Sequence, residues 1–145
     1  MRGSPALRLG YPRPLQLGVR SRLYRGLNAA YDPTRAIGRG ASGVDFTNCP
    51  LTALSYASGR RGVLLVVDVA DATARVSEEL WLYRGARRFM IWTSFADLVI
   101  AEIPAKELRA EIRRRGIVTV PDEEKAMILS AYIERRTTGG GIDRW

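Results

Sequence analysis

The amino-acid sequence predicts a single α+β domain. Two apolar runs rich in β-branched residues, Val63–Val67 and Leu98–Ile103, have the length and composition of buried strands. After them, apolar residues at helical spacing (Ala105, Leu108 and Ile112) require a packed helix. With 145 residues the chain has room for one core of ordinary size and hardly for two.

The elements follow in order. Met1–Ser21 is rich in Pro and Gly and reads as an irregular basic arm, with residues 22–145 forming the domain. Arg22–Leu27 alternates as a strand with Leu23, Arg25 and Leu27 on one face. A guanidinium on an apolar face must meet a carboxylate, carbonyl oxygens or a bound anion. Asn28–Ser42, with Asp32-Pro33 and several glycines, reads as a long loop. Val44–Thr47 is a short strand, and Asn48, two residues before Pro50, fits the cap of a helix reaching about Ser58 before Gly59. Residues 71–88 are polar and ambiguous, Glu78-Glu79 reads as a solvated face, and 88–92 as extended chain. Pro104 ends the next strand, Gly116 the helix after it, Ile117–Val120 is a short strand, and Glu123–Arg136 a helix with acids first and arginines last.

Composition narrows the chemistry. The chain has 23 Lys+Arg against 15 Asp+Glu, a formal net charge of +8, no His and a single Cys. This excludes Ser-His-Asp and Cys-His mechanisms, the common His-containing zinc sites and an intrachain disulfide. Residues 1–40 hold eight Arg and only Asp32, so the excess charge belongs to that end. An Arg-rich end with Tyr11, Tyr24 and Tyr31 interleaved suits an anionic partner such as nucleic acid, or simply a solvated arm. Cys49 beside a helix start has one feature of a reactive thiolate, but with no histidine a packed thiol is the plainer expectation. No transmembrane segment, secretory signal or transit peptide is read, so the expected location is the cytoplasm, or a target cell after delivery.

Four stretches in this order, LYRG (Leu23–Gly26), GVDFTNCPLTALSYA (Gly43–Ala57), VLLVVDV (Val63–Val69) and ADLVIAEIP (Ala96–Pro104), resemble the Arg-Ser-Glu branch of the ADP-ribosyltransferase superfamily. The resemblance spans residues 22–108. It implies a split, mostly antiparallel sheet with flanking helices around a cleft for NAD, which serves as substrate. Arg25 would anchor a phosphate or ribose, the Gly26 backbone the nicotinamide amide, and Thr47 and Asn48 would stand in the Ser-Thr-Ser turn. Tyr56 would offer a ring face to nicotinamide, although at helical spacing from Ala53 such a residue is more often ordinary core. Asp97 would be the catalytic carboxylate, with Glu102 the substitute in a shifted register. An alternative partner for Arg25 is an internal acid, Asp45 or Asp68. The departures from the family pattern are Asp97 in place of Glu, Phe95 in place of an upstream Glu or Gln, and Thr47-Asn48-Cys49 in place of Ser-Thr-Ser.

The function this implies is mono-ADP-ribosyl transfer to a macromolecule, as in bacterial toxins and effectors, with an antitoxin or immunity protein as a possible partner and no metal. Two alternatives stand beside it. One is an NAD glycohydrolase or phosphorylase of the Arg-Glu-Ser type, for which Tyr31-Asp32-Pro33 and the glycines after it speak. The other is a basic binding module without chemistry.

Overall fold

A computed structural model describes residues 21–35, 43–70, 72, 75–81, 86–116 and 122–139. Among these residues it is an α+β fold with one six-stranded sheet whose strand pairs are all antiparallel, and three α-helices. The strands are β1 (Arg22–Leu27), β2 (Val44–Thr47), β3 (Val63–Asp68), β4 (Val76–Trp81), β5 (Arg87–Ile91) and β6 (Val99–Pro104). The helices are α1 (Pro50–Leu54), α2 (Ala105–Arg114) and α3 (Asp122–Glu134), and the spatial strand order is β4-β5-β2-β1-β3-β6.

The Val63–Val67 run is β3, and residues Leu64–Val67 are fully buried because both sheet faces are covered there. On one face, Tyr24, Leu64, Val66 and Ile103 pack under Ala53 and Leu54 of α1, Ala105 and Leu108 of α2, and Leu129 and Ile133 of α3. On the other, Leu23, Phe46, Leu65, Val67 and Ile91 are covered by Val69, Ala72, Phe95 and Leu98. Only the helix before Gly116 stops where the sequence indicates: Gly116 (φ 64°) follows Arg114 and Arg115 in the left-handed region that side chains avoid, whereas Gly59 (φ 79°) holds the same conformation in the turn before β3, five residues past the end of α1.

Several expectations are corrected. The ambiguous polar stretch before residue 88 supplies a strand, β4, in which Glu78 lies opposite Phe89, is exposed as expected of a solvated face, and pairs its carboxylate with Arg87 at 3.2 Å. Polar residues form this strand because it is an edge, where one side faces solvent. The helix expected over 48–58 is only Pro50–Leu54, and its cap is Cys49, without a side-chain cap bond. Asn48 is instead drawn to β5: its Oδ1 accepts from Arg87 N–H at 2.9 Å, prolonging the β2–β5 ladder. The last helix begins at Asp122 and runs into a π-turn over Arg135–Gly139. The basic arm up to residue 20, most of the glycine-rich loop, Leu82-Tyr83, the strand expected at 117–120 and the last six residues lie outside the described residues.

Arginine ion pairs fasten the helices. Arg22, only 9% exposed, reaches Glu134 at 2.8 Å and Asp68 at 3.5 Å, joining β1 to the end of α3. Arg109 donates to Leu54 O (3.1 Å) and Ala57 O (2.6 Å), satisfying carbonyls at the end of α1. Glu107 accepts from Arg136 (2.6 Å) and Tyr132 (2.6 Å), joining α2 to α3, and the Arg136 hydrogen bond holds its carboxyl below the usual range.

Gly26 fixes how closely α1 sits on β1. A Cβ there would lie 2.1 Å from Ala53 O and 2.9 Å from Ala57 N, both backbone atoms. Gly26→Ala should therefore lower stability in urea denaturation by about 1–3 kcal/mol, the ordinary cost of overpacking. For Glu107, a depressed folded pKa means stability that is full above the unfolded value near 4.5 and lost as pH falls through the folded one. Glu107→Gln should be less stable than the parent at pH 7, with the gap closing as the pH is lowered below about 4.5 in denaturation series.

Candidate functional site

The site exists because β1 and β2 separate. Their ladder contains one pair, Tyr24↔Thr47, whereas β1 and β3 are paired along the whole of β1. Beyond that pair, Arg25 and Gly26 on β1 and Asp45 and Phe46 on β2 border a gap. The register of β1 and β2 assigns Tyr24, Thr47 and Asp45 to one sheet face and Arg25 and Phe46 to the other, so the gap gathers groups from both. Ala53 of α1, Tyr56 just after it and Arg88 of β5 complete a cleft of about 430 Å³. That volume is in the range of small-molecule sites.

Arg25 meets two of the three partners expected for it. Its Nη1 donates to the Asp45 carbonyl at 2.8 Å and to Asp45 Oδ1 at 2.5 Å, so the side chain bridges the gap where backbone pairing is missing. The internal-acid alternative for Arg25 is thus realised with Asp45; Asp68 pairs with Arg22 instead. The pair is half exposed, with side-chain accessibilities of 33% and 49%, so it is worth at most about 1 kcal/mol to stability. A second guanidinium approaches the same carboxylate, Arg88 Nε at 3.7 Å from Asp45 Oδ2. Arg88 Nε is buried and makes no hydrogen bond. Two cations around one carboxylate leave the cleft a net positive charge, and a buried donor in want of an acceptor lies beside it.

Thr47 is 5% exposed and its Oγ1 accepts from Cys49 N–H at 3.2 Å, closing the turn from β2 into α1. Tyr56 is 65% exposed, so it is not a core residue; it stands at the cleft with its ring in solvent. Of the residues named from sequence, Arg25, Gly26, Thr47 and Tyr56 line the cleft, and Asn48 does not, being held by Arg87.

Asp97 lies elsewhere. It sits in a 3-10 turn, Ala96–Leu98, immediately before β6, with its side chain 67% exposed and Oδ2 3.3 Å from Arg75 Nη2. The neighbouring Phe95 stacks edge-on against Phe46, ring centroids 5.1 Å apart, which places the turn behind the cleft wall rather than in it. Glu102 shares a row with Arg25 through Leu65, two strand spacings or about 10 Å away, and accepts from Tyr31 N–H at 2.7 Å. Asp45 is the carboxylate that lines the cleft, and Arg88 is the residue that sequence reading passed over. No local pattern marks Arg88, because β5 reaches β2 from some forty residues along the chain, as the Thr47↔Arg88 pair shows.

Cys49 is buried, and burial pushes its thiol above the ordinary value, which disfavours a thiolate. The native protein should react with a disulfide reagent such as DTNB at pH 8 many times more slowly than the urea-unfolded chain. Equal rates would show an accessible thiol.

No protein-family model matches the chain, and no curated protein matches it in sequence.

Proposed function

We propose that the cleft between β1 and β2 binds NAD and that the protein is a mono-ADP-ribosyltransferase of the toxin or effector type, with an ADP-ribosyltransferase-like fold. The observation that carries this reading is the convergence of Arg25, Gly26, Thr47 and Tyr56, named from separate stretches of sequence, on one cleft. Their charges and shapes suit the ligand. The Arg25 and Arg88 guanidiniums match phosphate oxygens, for which planar multiple donors are well formed. The exposed Tyr56 ring offers a face to a planar heterocycle. Thr47 Oγ1 accepts from Cys49 N–H and retains its own proton for a ribose oxygen.

In the reaction, the bond between nicotinamide nitrogen and ribose C1′ breaks with its electron pair going to the nitrogen, which becomes neutral. Positive charge then develops on the ribose, where a carboxylate stabilises it. The acceptor's hydroxyl or amine forms the new bond to C1′ and gives up its proton. Because Asp45 lines the cleft and Asp97 does not, we assign the carboxylate role to Asp45. Phosphate arriving at Arg25 and Arg88 competes with Asp45 for both guanidiniums and releases it toward the ribose.

A second reading has a specific observation behind it. Asp45 is neutralised by two arginines, and no other carboxylate lines the cleft among the described residues. On that reading the cleft binds a nucleotide without cleaving it.

Calorimetric NAD titration together with nicotinamide release tests both. Arg25→Ala should weaken NAD binding by about tenfold or more, the loss of a charge-assisted contact worth about 1.5–3 kcal/mol. Asp45→Asn should cut nicotinamide release at least about tenfold without weakening binding, while Asp97→Asn stays near the parent rate. NAD binding without nicotinamide release establishes the second reading, and no binding overturns both. Label from NAD on a macromolecule indicates transfer; free ADP-ribose or its 1-phosphate indicates hydrolysis or phosphorolysis.

A further inference from the structure

The 59–62 turn and the outer side of α2 hold a group of cations, of which the fold engages only Arg109. Lys106, Arg109 and Arg113 recur at i, i+3 and i+7 on α2 and form one stripe about 10 Å long, beside the buried stripe of Ala105, Leu108 and Glu111. Arg60 and Arg61 join it, because β3 and β6 are paired to their ends at Val63↔Pro104 and Ala105 N–H donates to Gly62 O at 2.9 Å. That contact sets the 59–62 turn against the first residues of α2. Arg109 closes the group by gripping Ala57 O at 2.6 Å, three residues before Arg60.

These cations are unopposed. Arg60, Arg61, Lys106 and Arg113 are exposed, and none forms an ion pair with a described residue. The carboxylates of the same helix are committed elsewhere, Glu107 to Arg136 and Tyr132, and Glu111 to Arg114 and Arg115. Like charges gathered this closely repel one another and cost stability unless a polyanion meets them.

We infer that this ridge binds the phosphate backbone of nucleic acid without reading sequence. One feature favours nucleic acid over an acidic protein or a membrane. The ridge has no apolar centre, since the exposed large apolar residues among those described are Tyr56, Ile100 and Met127, none on it. Protein interfaces and membrane-binding helices need such a centre, whereas phosphate contacts need only cations, arginine above all. The inference is independent of what fills the cleft.

The test uses the full chain and a labelled DNA duplex of about 20 base pairs, followed by fluorescence anisotropy across a salt series. The parent should bind with a steep salt dependence. The triple variant Arg60→Glu, Arg61→Glu, Lys106→Glu should bind at least about tenfold more weakly at low salt, with a log–log slope smaller by about two to three. Its circular dichroism and its NAD titration should match the parent, which separates a failed ridge from a failed cleft. A triple variant that binds duplex like the parent would overturn the proposal. So would poly-glutamate or anionic phosphatidylserine vesicles bound more tightly than duplex at equal charge.

Discussion

A sheet that zipped fully from β1 to β2 would have no cleft. The single pair Tyr24↔Thr47 is the point from which the two strands diverge, and everything that makes the site hangs on that divergence. An unpaired strand border normally costs hydrogen bonds. Here the Arg25 guanidinium spans it, donating to the Asp45 carbonyl as well as to its carboxylate, so a side chain takes over part of what backbone pairing would have done. The same contact keeps an aspartate and a cation at the rim of a cavity, where both are accessible to a ligand.

The α1 segment converts this opening into a pocket. It is short, one and a half turns, and an isolated helix of that length has no stability of its own. Tertiary contacts hold it at three points: Gly26 beneath, which lets its backbone approach β1, Thr47 at its start, and Arg109 at its end. With these in place, Ala53 and Tyr56 border the cleft on one side, and the following turn carries Arg60 and Arg61 to the start of α2 on the other. One short segment therefore touches the cleft and the basic ridge alike.

Arginine carries the polar organisation of this histidine-free chain. Arg22, Arg25, Arg75, Arg109 and Arg136 each tie together residues far apart in sequence, through carboxylates, carbonyls or both. Such a guanidinium is constrained in direction by its planar donors, which a lysine would not be. The net charge of +8 is thus not a uniform excess. Among the described residues much of the basic content is internally paired, while Arg60, Arg61, Lys106 and Arg113 form no ion pair with a described residue.

What could be read along the chain was whatever rests on local pattern. The β-branched run of β3, the alternation of β1, the Gly116 stop, and the demand that Arg25 find an anion or carbonyl all follow from period, propensity and the cost of burying charge. The resemblance pointed to Gly26, Thr47 and Tyr56, and these do meet Arg25. The exposure of Tyr56 is tertiary, because a helix ending at Leu54 turns away before the ring can enter the core. Asn48 left its capping position for the same kind of reason, a stronger partner in the Arg87 backbone that sequence distance concealed. The placing of Asp45 and Arg88 in the cleft, and of Asp97 outside it, was decided by strand order alone. Local sequence sets which residues lie on a strand and on which face, but β2 meeting β1 at one pair and β5 along its length is a balance of packing over the whole sheet, and no short segment encodes it.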